Sequence, residues 1–474
     1  MKKIRLYSFL TICLVFIVIS CINKTFENDV FFTIPTGEYI IENGIDDTES
    51  FTWHDNLKFT KLRWGFDICI AKLYEIGGFN ALYIFTVFIS ILIALVLFTT
   101  LIKRSNNYII SFIVATFSIL CISGYLTCRA QIISYLLFVL EMFFIEKMIE
   151  TENKKYIVYL AIICELILCF HSSVWLMFFV LFVPYIIEWI INLLKIDKFV
   201  NKTEKVTIRK FDNNKAKMLL ITMLISMLLG FCTPLGLSPY TYSIKTMLGF
   251  SSKIIMELQK VNIEETFSIG FLCFIIIAVL GLTKTKIKGS DLIYIVIFLI
   301  LSKLAERNMY IAILVLAYPI ANLLNTLIDT YKMTDKMNNV ENYFNDKILP
   351  KIIILEICIF IIFINLKKTA KQQYIDKSLY PVDASEYIIN NIDYKNARFY
   401  NNFNNGSYLE FKGIPSFVDS RSEIYCREFN NVTILEDMAN FELFYTMSVD
   451  EIVNKYQITH LLIERRKKIF RVSK

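Results

Sequence analysis

The stretch NKTFENDVFFTIPTGEYIIENGIDDTESFTWHDNLKFTKLRW, residues Asn23–Trp64, separates the first apolar run of the chain from everything that follows it. It carries eight carboxylates against four basic side chains. On both sides of it the sequence is apolar over lengths that suit a membrane. An acidic stretch in this position predicts a polar loop at a membrane surface, and such a loop is a natural place for chemistry.

Apolar runs recur along most of the chain, which has 474 residues, 55% of them hydrophobic. A soluble domain keeps such runs rare, because each one needs burial on all sides. The pattern therefore predicts a polytopic α-helical membrane protein. The predicted crossings are Met1–Cys21, Phe79–Ile102, Tyr108–Tyr125, Ile132–Phe144, Tyr156–Phe170, Val174–Leu194, Met218–Cys232, Phe267–Leu282, Leu292–Leu304, Met309–Leu327 and Ile352–Leu366. They give about eleven transmembrane helices in a transmembrane domain that spans residues 1–367.

Basic residues between the apolar runs predict the orientation. Lys2, Lys3 and Arg5 precede the first run, and a dense basic loop at 195–217 falls on the same predicted side. Loops rich in Lys and Arg remain in the cytoplasm. We therefore expect a multi-pass protein of the plasma membrane with a cytoplasmic N-terminus. The net charge of +7 reflects these loops and indicates contact with membrane lipids, with no nucleic-acid partner.

Three further segments are predicted around the spans. The first external loop, 23–64, leads into an interfacial helix at 57–76, where apolar residues recur at helical spacing between charged ones. A second external loop spans 233–265. The tail, 368–474, is predicted as a small extracytoplasmic α/β domain. Its predicted elements are helices at 384–392 and 451–456, strands at 398–403, 415–418 and 459–464, and a turn at 404–407.

Polar residues at the rim of a span are costly unless they face a partner or a cavity. Those on the predicted external side are Arg129, Gln131, His171, Glu257, Lys303 and Arg307. Cations beside an acidic loop suit a phosphate group held near a carboxylate. The same residues are also typical of helix capping and of side chains that reach from the membrane rim to water. With three histidines and no spaced Cys/His cluster, no metal site is predicted.

Several short motifs resemble bacterial membrane proteins of the type C glycosyltransferase superfamily (GT-C). The motifs are Asp29-Val-Phe-Phe-Thr-Ile-Pro-Thr-Gly37, Ser50-Phe-Thr-Trp53, Arg129-Ala-Gln131, His171-Ser-Ser, Thr233-Pro-Leu-Gly236, Arg307-Asn-Met-Tyr-Ile, Asn405-Gly-Ser-Tyr-Leu409 and Phe417-Val-Asp419-Ser-Arg421. They occur in the order in which the superfamily has them and extend over nearly the whole chain. Thr33 stands where the superfamily has a histidine.

The resemblance implies a glycosyltransferase that moves a hexose or pentose, with inversion, from a polyprenyl-phosphate donor to an acceptor on the external face. Asp29 would be the general base, and Asp47 or Glu49 would orient Asp29 or the acceptor. Arg129 and Arg307 would hold the phosphate, because a guanidinium matches phosphate oxygens. The residues that would complete the lipid-phosphate site are Gln131, His171, Glu257 and Lys303. The lipid-linked sugar is the implied partner, no cofactor is implied, and dependence on a divalent metal stays open.

Two other functions remain open on the sequence. A lipid-linked oligosaccharide polymerase or ligase also has many spans and polar external loops, but it favours a large loop in mid-chain. A transporter, or another non-catalytic membrane protein, usually shows inverted repeats and helices broken by Gly and Pro. The chain has only 14 Gly and 8 Pro and no duplicated pattern, so the glycosyltransferase hypothesis ranks first.

Overall fold

The computed structural model describes residues 2–202, 205–261 and 267–463, and helices dominate it. The helices before the basic loop and at its start are α1 (Lys2–Cys21), α2 (Asn28–Asn43), α3 (Trp64–Ser105), α4 (Tyr108–Ile122), α5 (Ala130–Thr151), α6 (Lys155–His171), α7 (Trp175–Val180), α8 (Val183–Leu193) and α9 (Asp197–Asn201). Those that follow, as far as the tail, are α10 (Asn213–Leu229), α11 (Ser238–Leu248), α12 (Ser251–Ile254), α13 (Phe267–Leu282), α14 (Gly289–Leu304), α15 (Glu306–Thr330), α16 (Thr334–Asp346) and α17 (Leu349–Thr369). The tail contains α18 (Val382–Asn391), α19 (Phe403–Phe411), α20 (Arg427–Asn430), α21 (Ile434–Glu442) and α22 (Val449–Tyr456). The strands are β1 (Val206–Thr207), β2 (Ile287–Lys288), β3 (Phe399–Asn401) and β4 (His460–Leu462).

Within the described residues, six helical segments are long and apolar enough to cross a membrane. They are Trp64–Ser105, Tyr108–Tyr125, Lys155–Leu193, Asn213–Cys232, Glu306–Thr330 and Leu349–Thr369, with shorter apolar helices at Arg5–Cys21 and Ile269–Leu282. The chain is thus a multi-pass helical membrane protein, as the sequence predicts. The count of eleven crossings stays a prediction, because α5 carries charged residues within its length and α14 has only 16 residues. The span predicted at 174–194 is divided between α7 and α8.

The acidic stretch after α1 is not a loop throughout, which corrects the prediction for 23–64. Its first part forms α2, so that Asp29 lies in the first turn of a helix. Gly37 of this helix lies directly against α3, because a Cβ there would approach the carbonyl oxygen of Asp67 to 2.0 Å. The glycine therefore permits close packing of α2 on α3, and this packing determines where Asp29 lies.

The interfacial helix predicted at 57–76 is wrong at its start, since α3 begins only at Trp64. Helical geometry breaks at Gly77 and Gly78, and the φ of Gly78 is +58°, a backbone conformation that glycine adopts without steric cost. The break separates a short helical segment, which carries Asp67, from the long apolar part of α3. That apolar part is long enough, at about 1.5 Å per residue, to span roughly 40 Å.

The far end of α3 lies among the basic loops. Arg104, near the last residue of α3, pairs with Glu146 of α5 and Asp291 of α14. The loop predicted at 195–217 reaches the same end, because Arg209 lies 3.8 Å from Glu146. Within this loop β1 pairs in parallel with β2, and its residues 203–204 lie outside the described part.

The tail domain includes part of the acidic stretch as well as residues 368–463. Leu57 and Phe59 belong to the same buried hydrophobic cluster as residues of β3 and of α21. The indole nitrogen of Trp53 donates a hydrogen bond of 2.9 Å to the carbonyl oxygen of Phe399. The domain boundary predicted at residue 367 therefore omits a segment of the tail's core. Residues 464–474 of the predicted domain lie outside the described part.

The tail has fewer strands than the sequence predicts. The predicted helices at 384–392 and 451–456 correspond to α18 and α22. Strands β3 and β4 lie within the predicted strands at 398–403 and 459–464 and pair in parallel, with Phe399 opposite His460. The turn predicted at 404–407 is wrong, because those residues lie inside α19. The strand predicted at 415–418 is reduced to one bridge between Ser416 and Thr52.

Candidate functional site

A polar cavity of about 140 Å³ lies at the end of the bundle where α3 begins. This volume is large enough for several water molecules. Its wall comes from α2, the start of α3, the first residues of α15, the segment at 255–258, and residues 420–423 of the tail. The wall therefore joins the membrane helices to the tail domain. We call this space the main cavity.

The structure brings six of the nine predicted site residues to the wall of the main cavity. They are Asp29, Arg129, Gln131, His171, Glu257 and Arg307. These residues are far apart in the sequence and meet only through tertiary packing. Their proposed roles stay predictions, because the geometry places the groups together without identifying a reaction.

Arg129 is the centre of an ion-pair cluster in this wall. Its Nε donates to Asp29 Oδ2 at 3.0 Å, and its two terminal nitrogens donate to the two oxygens of Glu257 at 2.7 and 3.1 Å. Glu27 is a third carboxylate partner, at 3.2 Å. Each nitrogen of Arg129 thus contacts a carboxylate, so a phosphate would have to compete with these carboxylates for the guanidinium.

Arg307 differs from Arg129 in having no such partner. It lies in the first turn of α15 and lines the main cavity. Among the residues that the structure describes, its side chain forms no hydrogen bond and no ion pair. A free guanidinium near the positive end of a helix dipole is suited to bind an anion.

Other polar groups of the wall have buried atoms that lack a hydrogen-bond partner within the described residues. These atoms are both carboxylate oxygens of Asp67 and Oε1 of Gln131. An unsatisfied buried polar group costs about 1–3 kcal/mol. His171 is satisfied on one side, with its Nδ1 lying 2.7 Å from the hydroxyl of Ser134. The wall therefore retains hydrogen-bonding capacity that a polar ligand can use.

Three predicted site residues do not line the main cavity. The side chain of Glu49 is 1% exposed and is ion-paired with Arg421 at 2.7 Å, so its predicted role in orienting Asp29 or an acceptor stays a prediction. Lys303 is exposed on α14 and does not face the cavity. Asp47 lines a smaller neighbouring cavity instead.

The wall also contains ionisable residues that were not predicted as site residues, namely Arg63, Asp67, Tyr242, Arg421 and Glu423. Arg63 and Asp67 form a pair at helical spacing (i, i+4), 3.7 Å apart, and two opposite charges at that spacing in an apolar helix were a signal that could have identified them. Tyr242 and Glu423 had no such signal, since only the fold brings them to the cavity. Thr33 accepts a hydrogen bond of 3.3 Å from Arg63.

The electrostatics of the wall combine both signs of charge. Asp29, Asp67, Glu257 and Glu423 face Arg63, Arg129 and Arg307 in the same space. Burial raises the pKa of Glu423 above its ordinary value, with the charge of Arg63 among the effects that oppose the rise. A carboxylate with a raised pKa accepts a proton more readily. The wall can therefore both bind an anionic group and accept a proton.

No group of three or more His, Cys, Asp or Glu side chains that could hold a metal ion occurs among the described residues. No protein-family model matches the chain, and no curated protein matches it. The function must therefore be argued from the geometry of the main cavity.

Proposed function

We propose that this chain is a membrane glycosyltransferase that transfers a sugar, with inversion, from a polyprenyl-phosphate donor to an acceptor hydroxyl. The observation that carries the proposal is one cavity in which Asp29 meets the guanidinium groups of Arg129 and Arg307 at the end of a membrane bundle. Such a transfer needs a carboxylate for the acceptor's proton and cations for the leaving phosphate. A site at the end of the spans also suits a donor whose lipid chain stays in the membrane.

In the proposed reaction, a carboxylate oxygen of Asp29 takes the proton of the acceptor hydroxyl. The hydroxyl oxygen forms the new bond to the anomeric carbon, and the bond from that carbon to the phosphate oxygen breaks. The electron pair of the broken bond stays on the polyprenyl phosphate, which leaves without needing a proton.

The two arginines have different proposed roles. Arg307 binds the leaving phosphate, because its guanidinium is free. Arg129 holds the Asp29 carboxylate in position through the 3.0 Å contact of its Nε. A phosphate that binds Arg129 as well would have to compete with Glu257 for its guanidinium.

We further propose a GT-C-like arrangement with eleven crossings. The crossings would be α1, the apolar part of α3, α4, α5, α6, α7 with α8, α10, α13, α14, α15 and α17. The basic loops at 195–217 and 284–288 meet through β1 and β2 at the end opposite the main cavity. α1 starts at the same end, since the ring of Tyr7 lies 6.4 Å from that of Tyr108.

The side that carries the basic loops is expected in the cytoplasm. The proposal therefore puts the N-terminus in the cytoplasm and the main cavity and tail domain on the outer side of the plasma membrane. Labelling of a cysteine introduced at Lys198 with a membrane-impermeant thiol reagent tests this orientation in intact cells. Labelling there above the background of the unchanged chain would reverse the orientation.

The function is tested with the full-length protein in membranes and a set of polyprenyl phosphates that carry glucose, galactose, mannose or arabinose. Release of free polyprenyl phosphate is measured. Asp29→Asn should lower the rate by about 10²–10⁴-fold, the usual contribution of a general base. Arg307→Ala should weaken donor binding, while Asp55→Asn, a change at an exposed carboxylate, should leave the rate unchanged. A chain with Asp29→Asn that retains the full rate would refute the assigned base.

A further inference from the structure

A second cavity, of about 100 Å³, lies directly beside the main cavity. Thr60, Tyr242 and Glu423 line both spaces and form the wall between them. None of the residues predicted to bind the lipid phosphate lines the second cavity. The two spaces are therefore adjacent but differ in the groups that they present.

Eight of the ten residues that line the second cavity have polar side chains. α11 contributes the hydroxyls of Ser238 and Thr241, and the tail contributes the aromatic ring of Phe429. Hydroxyl-rich ligands are bound by many donors and acceptors in a small space, and an aromatic ring covers the C–H face of such a ligand. The cavity is small, so it suits one sugar ring and not a longer oligosaccharide.

The charged groups of this cavity are available for a ligand. Within the described part of the chain, the side chains of Asp47, Lys58 and Lys245 form no hydrogen bond and no ion pair, although the ammonium group of Lys245 lies 5.6 Å from the ring centre of Phe429. The carboxylate of Glu423 forms no ion pair with any described residue and accepts a hydrogen bond from its own backbone N–H. The neighbouring Asp46 shows the contrast, since Lys61 binds it at 2.8 Å. Free carboxylates and ammonium groups together make charge-assisted hydrogen bonds to hydroxyls, as donors and as acceptors.

We propose that the second cavity binds a sugar unit of the acceptor, and that Glu423 and Tyr242 hold the reactive hydroxyl at the wall shared with the main cavity. This inference rests on the proposed function and gives the acceptor a chemical class, a carbohydrate. Sugar binding itself depends only on the lining of the second cavity. Donor and acceptor then approach each other from two adjacent spaces.

The test uses the full-length protein in detergent and the methyl glycosides of glucose, galactose, mannose and N-acetylglucosamine as probes, with binding followed by saturation-transfer NMR and calorimetry. Thr241→Trp places a large ring in the second cavity from an exposed position. Met247→Trp, on the same helix, is 65% exposed and lines neither cavity, so it is the matched control. At least one glycoside should bind to the unchanged protein.

Thr241→Trp should weaken the binding of that glycoside at least tenfold, and Glu423→Gln should weaken it at least fivefold. Met247→Trp should stay within twofold of the unchanged protein. If no glycoside binds, or if Thr241→Trp binds as tightly as the unchanged protein, the proposal is overturned. Binding of inorganic phosphate alone, abolished by Lys245→Ala, would overturn it in favour of an anion site.

The two proposals fail in different ways. Asp29→Asn tests cleavage of the donor, and Thr241→Trp tests binding of the glycoside. In one outcome, the protein binds a glycoside, loses that binding in Thr241→Trp, and yet cleaves no polyprenyl-phosphate sugar. That result would support the sugar site and reject the transferase. If the protein cleaves the donor in a way that depends on Asp29 but binds no glycoside, the transferase is supported and the carbohydrate acceptor is rejected.

Discussion

Arg129 and Arg421 each pair with three carboxylates, but in surroundings that differ in exposure to water. Arg421 pairs with Glu49, Glu410 and Asp419 at 2.7 Å each, and all four side chains are at most 1% exposed. Arg129 is 14% exposed and its three partners are between 15% and 41% exposed. Arg421 also belongs to the wall of the main cavity, but its cluster is closed, that is, almost fully excluded from water, whereas the Arg129 cluster is open to the water of the cavity.

The difference shows which cluster can exchange its partners with a ligand. Removing a charge from water costs free energy, and a buried charge that loses its partner no longer has an ion pair to offset that cost. In the Arg421 cluster, any exchange would leave a carboxylate buried without a counter-ion, and burial already raises the pKa of Glu410. In the Arg129 cluster, a displaced carboxylate can turn toward the water of the cavity. The closed cluster therefore stabilises the tail, and the open one is suited to function.

The largest effect is expected at the closed cluster. Arg421→Ala leaves three carboxylates buried without a cation and should cost about 3–5 kcal/mol of stability. The midpoint of thermal unfolding in detergent measures the loss. Arg427→Ala is the control, because its pair with Glu436 is solvent-exposed at the arginine (61%) and should contribute at most about 1 kcal/mol. Equal midpoints for the two variants would contradict the assigned role of Arg421.

The packing that positions the open cluster is tested at Gly37. Gly37→Ala places a methyl group against the backbone of α3 and should cost about 1–3 kcal/mol. It should also shift α2, and with it Asp29, so that donor cleavage falls more than stability alone explains. Gly124→Ala, where a Cβ would meet no atom within 4 Å, should change neither quantity. Unchanged cleavage and stability in Gly37→Ala would show that α2 and α3 are not in close contact.

A pH effect is expected in the tail domain that holds the closed cluster. Burial lowers the pKa of His54 to about 4, although its Nε2 contacts the carbonyl oxygen of Phe417. Below the ordinary histidine pKa of about 6.5, the imidazole of His54 is protonated in the unfolded chain but stays neutral in the folded protein. The free energy of unfolding therefore falls as the pH drops from about 6.5 toward 4. The loss should reach about 2 kcal/mol at pH 5. Unfolding midpoints against pH should show a smaller acid loss in His54→Gln, and an equal loss would reject the assignment.

The smallest effect on stability is expected at the open cluster. Arg129→Ala should cost about 1–2 kcal/mol, because its carboxylates reach cavity water once the cation is gone. The unfolding midpoint should therefore fall less than in Arg421→Ala. Donor cleavage should fall strongly in the same variant, since Asp29 loses its 3.0 Å contact. A loss of stability as large as that of Arg421→Ala would show that the two clusters are equivalent.

The membrane helices could be predicted from the sequence because each needs only its own apolar residues to be recognised. The helix α2 was missed, since it lies in a stretch rich in carboxylates and contains Pro35 and Gly37, residues that are typical of turns. Glu49 was assigned to the site through the resemblance, as an alternative to Asp47 for orienting Asp29 or the acceptor. Its pairing with Arg421, a residue of the tail, could not be read from local sequence.

The sequence by itself determined that the chain is a multi-pass helical protein, because hydrophobic length is a local property of each segment. It also indicated which polar and charged residues lie at the ends of membrane spans, where an unpaired charge costs free energy. Only the tertiary structure decided that Asp29, Arg129 and Arg307 share a wall while Lys303 does not. The physical reason is that exposure and pairing of a charge depend on residues hundreds of positions away, which packing brings into contact.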